Sequence, residues 1–406
     1  MSVETSPTDL SVRTGRNLPL VRAGNLSAVL DAIRKLQPIS RGGLSETVRL
    51  TPATVTRLVD ELARLNLLLE SPSPDSQLGR RPSLIELNPR AGSLLGVELS
   101  RSAVRAVLTD FRGRALKRAE EPVNLSDDPQ DVVDQIASLA GRLRRGAPRL
   151  LGVGLGVPGP VNSAAGIVLE PPNFGNWRNV PLAELVSRAC RLPVWLDDDA
   201  KTAALGERWF GAGRGRSSLL YVSLGVGVGS GLIVNDEVYR GRHELAGEIG
   251  HTTLDVNGPA CPCGNRGCVE TLVSVPAILG ASRRRGLAHN LDDLIARSAE
   301  PDTAEFLDEV LAYLAAMVVN AVNHLDPELI VMGGSLVRSW PGLVDLLRER
   351  VSGRLFGFAS RDLTIVPASL GQDASALGAA CLVADAVMRE PGLASARTAR
   401  AARQPA

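Results

Sequence analysis

Three cysteines and one histidine lie close together in this chain. Cys261, Cys263 and Cys268 fall within eight residues, and His251 precedes the first of them by ten. Zinc prefers four tetrahedral ligands drawn from thiolate and imidazole groups, and the glycines between the cysteines permit the sharp turns that such a loop needs. Inert or redox-active thiols are the alternative. The crowding favours a closed, structural zinc site, because no fifth ligand is evident.

The composition agrees with a metal rather than a disulfide framework. The chain has five cysteines, an odd number, and a crowded set suits a reducing compartment. Its 406 residues, 44% of them hydrophobic, are enough for two or three domains with sizeable cores. No apolar run reaches the length of a membrane span, and the polar start lacks a signal peptide. We therefore expect a cytoplasmic protein without a membrane partner.

Residues 21–90 show three helical patterns followed by two strand-like runs, the order of a winged helix-turn-helix. The third helix is the best marked, since Thr51 can cap it and Pro52 fits its first position. Its apolar stripe consists of Val55, Leu58, Val59 and Leu62. The first helix is expected to bury Leu26, Val29, Leu30, Ile33 and Leu36. This arrangement would turn the remaining residues of the third helix towards a partner.

That partner is expected to be double-stranded DNA. Arg80 and Arg81 lie at the tip of the hairpin, where they can enter a minor groove or bind phosphates. Residues 11–90 contain 12 Lys and Arg against 7 Asp and Glu. The predicted DNA contacts are Pro52, Ala53, Thr56, Arg57, Arg80 and Arg81. A dimerisation or protein-docking module with the same winged fold is the alternative.

Strand and helix patterns alternate after residue 93, which indicates an α/β architecture. Two glycine-ended strands in separate halves suggest two α/β lobes with a cleft between them. The predicted organisation is a disordered tail, 1–20; the winged domain, 21–90; a first lobe, 91–196; a second lobe with the zinc motif, 197–388; and a disordered tail, 389–406. The last helix of the second lobe is expected to pack back on the first lobe.

Four stretches carry a resemblance to a known family. They read "GVGLGVPGPV", "LDDDAKTAALGE", "YVSLGVGVGSGLIVNDEVYRG" and "GEIGHTTLDVNGPACPCGNRGCVET". They resemble the ROK family of repressors, open reading frames and kinases, over about residues 21–388. The winged segment makes the chain similar to the family's transcriptional regulators of the xylose and N-acetylglucosamine repressor type. The resemblance implies an actin-like or hexokinase-like ATPase fold, with two lobes that hold a sugar in their cleft.

The resemblance also implies roles for particular residues. The residues expected to bind a sugar are Asn173, Asp198, Asp199, Glu248, His251 and Glu270, with Asp199 at the position of the kinases' general base. Carboxylates suit hydroxyl ligands because each accepts two or more hydrogen bonds. Zinc would then be a structural brace that presents Glu270 and the far nitrogen of His251 to the sugar.

The phosphate-binding loops depart from the kinase pattern. The family's kinases carry Asp-x-Gly-Gly-Thr where this chain has residues 98–102, "ELSRS", without either glycine. The later Gly-Thr-Gly is here Gly225-Val226-Gly227 and lacks the hydroxyl. Lys201 replaces the usual Asn. Side chains in place of glycine obstruct the approach of phosphate to the backbone, so we expect sugar sensing without phosphoryl transfer.

These features together predict a sugar-responsive transcriptional regulator of carbohydrate metabolism, with repression the expected mode. A homodimer or tetramer would bind operator DNA, and a sugar or sugar phosphate would close the cleft and change the spacing of the winged helices. Two alternatives remain: an active sugar kinase with a fused DNA-binding domain, and a regulator controlled by a protein partner. Activation can follow from the same dimer at a different promoter position.

Overall fold

The structure is a computed structural model that describes residues 18–72, 83–171, 174–357 and 363–394. Among the described residues, one compact unit consists of residues 18–72 and 83–88 together with 386–394, and the other runs from Pro89 to Asp385. Three candidate site residues, Asn173, Arg80 and Arg81, lie outside the described residues. Within the described ranges, every helix is too short or too polar to cross a membrane.

The first unit contains the three predicted helices and both predicted hairpin strands. Its elements are α1 (Leu18–Leu36), β1 (Ile39–Ser40), α2 (Arg41–Val48), α3 (Pro52–Arg64), β2 (Leu68–Pro72) and β3 (Ser83–Leu87). The three strands form an antiparallel sheet in the order β1-β3-β2. The helix α1 starts inside the predicted disordered tail, so that boundary was wrong for residues 18–20; residues 1–17 lie outside the described chain.

The third helix begins as predicted. The Thr51 hydroxyl accepts a hydrogen bond from the Thr54 N–H at 3.3 Å, and Pro52 is the first helical residue. All four residues of its apolar stripe are buried. In α1 the prediction was wrong for Leu36, which is 50% exposed because it is the last residue of the helix, whereas the other four predicted residues are buried.

The first lobe is a mixed five-stranded sheet in the order β10-β7-β4-β5-β6. Its strands are β4 (Ser93–Leu99), β5 (Ala103–Asp110), β6 (Ala115–Pro122), β7 (Leu150–Val157) and β10 (Val194–Asp198), with the helices α4 (Pro129–Leu143) and α5 (Leu182–Cys190) and the short hairpin β8 (Val161–Asn162) and β9 (Ile167–Val168). The strand β6 has no counterpart in the sequence prediction. It is an edge strand with exposed charged residues, so it lacks the apolar run that marks a buried strand.

The second lobe is a five-stranded sheet in the order β13-β12-β11-β14-β15. Its strands are β11 (Leu219–Leu224), β12 (Val228–Val234), β13 (Glu237–Val238), β14 (Leu329–Gly333) and β15 (Thr364–Pro367). Its helices are α6 (Asp199–Phe210), α7 (Val269–Val273), α8 (Val275–Arg284), α9 (Leu291–Ala296), α10 (Pro301–Leu325), α11 (Ser335–Ser339), α12 (Leu343–Val351) and most of α13 (Ala374–Arg389), with short 3₁₀ helices at Ile249–His251 and Gly371–Asp373. The end of α13 and a 3₁₀ helix at Pro391–Ala394 belong to the first compact unit. The end of α13 and the 3₁₀ helix Pro391–Ala394 fall within the second predicted tail, so disorder was wrong for residues 389–394; residues 395–406 lie outside the described chain.

Two helices cross between the lobes. The strand β10 extends to Asp198, two residues beyond the expected boundary, and α6 then packs on β11 and β12 of the second lobe. The helix α13 follows β15 of the second lobe and packs on the sheet of the first. The two helices meet at Gly206 and Gly378, where a Cβ on Gly206 would lie 3.0 Å from the Gly378 nitrogen. Both lobe-to-lobe connections therefore run through one close helix crossing.

Glycine is required where α13 meets the first sheet. A Cβ at Gly96 would lie 1.8 Å from the Ala376 carbonyl oxygen and 2.6 Å from the Ala380 nitrogen. We expect Gly96→Ala to lower the free energy of unfolding by about 1–3 kcal/mol or more, because backbone rather than a flexible side chain must move.

The matched control is Gly141→Ala in α4, where a Cβ meets nothing within 4 Å. That substitution should stabilise the helix by up to about 1 kcal/mol, since alanine is the better helix former. Chemical denaturation followed by circular dichroism measures both. Equal stabilities for the two variants would contradict the proposed packing of α13.

Candidate functional site

The described site residues converge on the first residues of β12. Glycines along this strand let neighbouring backbone approach closely: a Cβ at Gly231 would lie 2.5 Å from the Ala200 carbonyl oxygen in α6. The 3₁₀ helix that ends at His251 packs on the same strand, where a Cβ at Gly250 would lie 2.1 Å from the Val228 carbonyl oxygen. Because α6 and the 3₁₀ helix both pack closely on β12, the functional groups that they carry lie near this strand.

Two adjacent carboxyl groups stand where β10 passes into α6. The Asp198 carboxylate accepts hydrogen bonds from the backbone N–H groups of Ala200 at 3.0 Å and Lys201 at 3.1 Å, so it caps the helix. Asp199, the first helical residue, lines a cleft cavity of about 190 Å³. The carboxyl of Glu248, which precedes the 3₁₀ helix, is close enough to affect the ionisation of both. The structure thus brings Asp198, Asp199 and Glu248 together.

The surroundings of Asp198 and Asp199 shift the pKa values of these two carboxyl groups. Burial raises the pKa of Asp199 to about 6; the negative charge of Glu248 adds to the rise, while the Ala200 N–H and the Lys201 ammonium oppose it. Burial, and next the charge of Asp199, raise the pKa of Asp198 well above its usual range. Asp199 can consequently change between a neutral acid and a hydrogen-bond-accepting carboxylate near neutral pH.

Glu270 and His251 lie on the other elements that reach the start of β12. Glu270 is the second residue of α7, and its Oε2 accepts the Val228 N–H at 2.9 Å. A Cβ at Gly227 would lie 2.6 Å from that oxygen, so a side chain there would have to displace the Glu270 carboxylate. A backbone hydrogen bond of 2.9 Å from Val269 to Thr252 joins α7 to the residue after His251. The five candidate sugar residues that the structure describes are therefore gathered around one strand.

The predicted metal ligands form a compact cluster. One ligand atom from each of His251, Cys261, Cys263 and Cys268 lies within 4.8 Å of all the others. The His251 Nδ1 is 3.6 Å from the Cys261 Sγ, and the Cys263 and Cys268 sulfurs are 3.7 Å apart. A tetrahedron with Zn–S of about 2.3 Å and Zn–N of about 2.0–2.1 Å has edges of about 3.6 Å (N–S) and about 3.8 Å (S–S). The cluster could hold a metal ion, and its size fits zinc.

The loop that carries the cysteines is shaped by its glycines, as the sequence predicted. Gly264 and Gly267 have φ of 95° and 57°, in the left-handed region that favours glycine. At Gly267 there is also no room for a side chain, since a Cβ would lie 1.7 Å from the Asp255 carbonyl oxygen. Cys268 directly precedes α7, so a metal bound here would fix the helix that carries Glu270.

A charged network that the sequence reasoning missed lies across the cleft cavity. Arg105 on β5 forms ion pairs with Glu98 at 2.7 Å and Glu120 at 3.0 Å, and it donates to the Gln372 side-chain oxygen at 2.8 Å. Burial raises the pKa of Glu98 to about 7, against the effect of Arg105. Glu98 and Arg105 are directly paired across the antiparallel strands β4 and β5. A hairpin register assigned from the sequence would have revealed this pair.

The four described DNA-contact candidates share one surface of α3. Pro52, Ala53, Thr56 and Arg57 are all exposed, as predicted. Arg41, at the start of α2, braces the back of this surface: its guanidinium pairs with Asp60 at 2.8 Å and Glu70 at 2.6 Å and donates to the Thr56 carbonyl at 3.3 Å. This contact fixes α3 against both α2 and the hairpin.

Comparison with known proteins gives relatives for the whole length of the fold. A profile described as ROK family matches residues 94–386. The chain is 32% identical to a xylose repressor of Bacillus spizizenii, over 89% of this chain and 95% of that protein. It is 31% identical to a glucokinase of Thermotoga maritima, over 72% of this chain and 98% of that one.

A solved structure agrees. A ROK family transcriptional regulator, a homologue of the Escherichia coli Mlc protein, superposes with a TM-score of 0.79 at 25% identity, covering 92% of this chain and 98% of that one. The α/β lobes expected from the sequence are thereby confirmed. By its family profile, its relatives and its fold, the chain belongs to the ROK family.

Proposed function

We propose that this protein is a sugar-responsive transcriptional repressor of carbohydrate metabolism. The observation that carries the proposal is the convergence of Asp199, Glu248, His251 and Glu270 on the start of β12, in a chain that also carries a helical amino-terminal unit. Clustered carboxylates and an imidazole suit several sugar hydroxyls at once. The repressor relatives, whose names refer to xylose and Mlc, match about nine-tenths of the chain.

The amino-terminal unit is a winged helix-turn-helix in this proposal. Three residues separate α2 from α3, and Arg49 within that turn has a φ of 52°, which is the short, sharply turned connection of helix-turn-helix units. The helix α3 would be the recognition helix, with its exposed front in a major groove. A homodimer or tetramer would place two such helices on a palindromic operator.

Zinc braces the sugar site. Three thiolates and one imidazole complete a tetrahedral shell, which leaves no open position for substrate, so the ion's contribution is structural. Coordination through the His251 Nδ1 would leave Nε2 free to face a sugar hydroxyl. The loop and α7 would then be held together, with Glu270 in place.

Phosphoryl transfer is absent in this proposal. A kinase needs backbone N–H groups close to the transferred phosphate; here the cleft carries Glu98, a carboxyl that would repel phosphate when ionised, and its partner Arg105 is already engaged by two carboxylates. A sugar kinase with a fused DNA-binding domain is the second candidate, because Asp199, Gly225 and Gly334 still line the cavity. Hexose-dependent release of ADP well above background would establish that candidate instead.

The sugar acts through differential affinity. A ligand that binds one arrangement of the lobes more tightly than another shifts the population, and DNA binding reports that shift. In this proposal the lobes move about the crossing of α6 and α13, the two connecting helices, which meet at Gly206 and Gly378. The proposal thus links the sugar site to DNA binding through lobe closure.

Metal content tests the brace. Native protein should contain one zinc per chain, and Cys268→Ser should lose it because three ligands hold zinc much less tightly than four. Cys190→Ser, a cysteine outside the cluster, should keep the full content. Glu270→Ala should keep zinc and lose the sugar response, whereas His251→Ala should lose both. Elemental analysis of freshly purified protein measures the zinc content of each variant. A native protein without metal would exclude a structural role of zinc at the sugar site.

Operator binding tests α3. Arg57→Ala should weaken binding by about 10–100-fold, the loss of about 1–3 kcal/mol expected for a groove contact. Arg188→Ala, an exposed arginine on the first lobe, is the matched control and should bind as the wild type does. Fluorescence anisotropy at fixed salt measures both affinities. Equal effects of the two substitutions would remove α3 from the interface.

The pH dependence of sugar binding tests Asp199. The hydroxyl-accepting form is the carboxylate, and burial raises the pKa of Asp199 to about 6. Sugar affinity should therefore increase as the pH rises from 5 to 7, with a midpoint near 6, and Asp199→Asn should remove that midpoint. Calorimetric titration across this range, coupled to operator binding, provides the measurement. If no sugar or sugar phosphate changes the affinity for DNA, the proposed function fails.

A further inference from the structure

Lys201 is a buried lysine whose ammonium contacts a loop that is distant in sequence. It is the third residue of α6 and is only 2% exposed, which is rare for lysine unless its charge is compensated. Its ammonium donates to the Glu244 carbonyl oxygen at 2.7 Å. Its positive charge also opposes the rise in pKa that burial causes in Asp198 and Asp199. One side chain therefore joins the start of α6 to that loop.

That loop, residues 240–248, leads from β13 to the 3₁₀ helix and ends at Glu248. It contacts the first lobe at two points. The Arg240 guanidinium pairs with Asp197 of β10 at 2.6 Å, and the Glu244 carboxylate accepts the Ser163 N–H at 2.7 Å, at the turn between β8 and β9. The loop thus spans the two lobes on the side of the candidate sugar carboxylates.

Glu244 is the centre of this bridge. Its side chain binds the first lobe through Ser163, while its carbonyl binds Lys201 of α6. Its φ of 60° is in the left-handed region, which a residue other than glycine adopts at a cost in free energy. Two hydrogen bonds on opposite sides of one residue explain why that conformation is maintained. Loss of the Lys201 contact should release the loop.

We propose that Lys201 is a positioning residue of the sugar site: its ammonium holds the 240–248 loop, with Glu248, closed across the two lobes. The inference rests on the proposed sugar function. It assigns a role to the lysine that departs from the family's usual asparagine, and it makes the position of Glu248 depend on one side chain.

Hydrogen exchange tests the loop contact in the full-length protein without sugar. In Lys201→Met, backbone amides of the 240–248 loop should exchange at least about tenfold faster than in wild type, because local opening becomes easier. The matched control is Lys117→Met, whose ammonium also donates to backbone carbonyls, those of Leu143 and Arg145, and exchange in the loop should be unchanged there. Unchanged exchange in a folded, zinc-containing Lys201→Met would overturn the loop contact. If that variant does not fold, Lys201→Asn provides the same comparison, because it places the family's usual residue there and has no ammonium to donate to the Glu244 carbonyl.

Sugar binding tests the positioning role. With a sugar that the wild type binds, Lys201→Met should bind about tenfold more weakly, because the loop that carries Glu248 is open more often. Lys201→Arg retains a cationic donor and should restore most of the affinity. Unchanged sugar affinity in Lys201→Met would overturn the positioning role. If the wild type binds no sugar, the proposed function fails, while the exchange measurement still decides whether Lys201 holds the loop.

Discussion

Close packing of backbone around β12 is the constraint on which the site depends. The start of α6 and the 3₁₀ helix at His251 approach this strand at distances that leave no room for a Cβ at Gly231 or Gly250, and Glu270 of α7 binds the Val228 N–H at 2.9 Å. Such approach places carboxyl groups from separate elements around one small region and removes them from water. Desolvation then raises the pKa of Asp199 towards neutrality. The packing that brings these groups together is thus also the cause of the raised pKa of Asp199.

The four predicted metal ligands lie along and at the two ends of a segment that has little regular structure of its own. The segment between the 3₁₀ helix and α7 contains little regular structure among residues 252–268, yet the proposed sugar site requires it to hold His251 and Glu270 at fixed positions. Four ligand atoms at tetrahedral spacing would tie both ends of that segment together. Zinc binding would replace the hydrophobic contacts that so polar a loop cannot supply.

Local patterns predicted the local parts of the molecule. The cysteine spacing, the turn glycines and the cap and stripe of α3 all lie within short stretches, and the structure shows each of them. Contacts that depend on strand register or on distant segments were missed: Arg105 with Glu98, and Lys201 with Glu244. The charged edge strand β6 was missed because exposure removes its apolar pattern. Leu36 was predicted as buried because periodicity does not indicate where a helix leaves its core.

The fold alone does not distinguish a repressor from a kinase, since relatives named for both activities share it. We propose that two features make this chain a repressor rather than a kinase: the charged residues of the cleft, and a sugar site whose residues are held in place by a bound metal. Calorimetric sugar titration of zinc-loaded, zinc-stripped and zinc-reloaded protein tests that claim most directly. The account predicts binding in the loaded form, loss on stripping and recovery on reloading. Equal sugar affinity with and without the metal would contradict it.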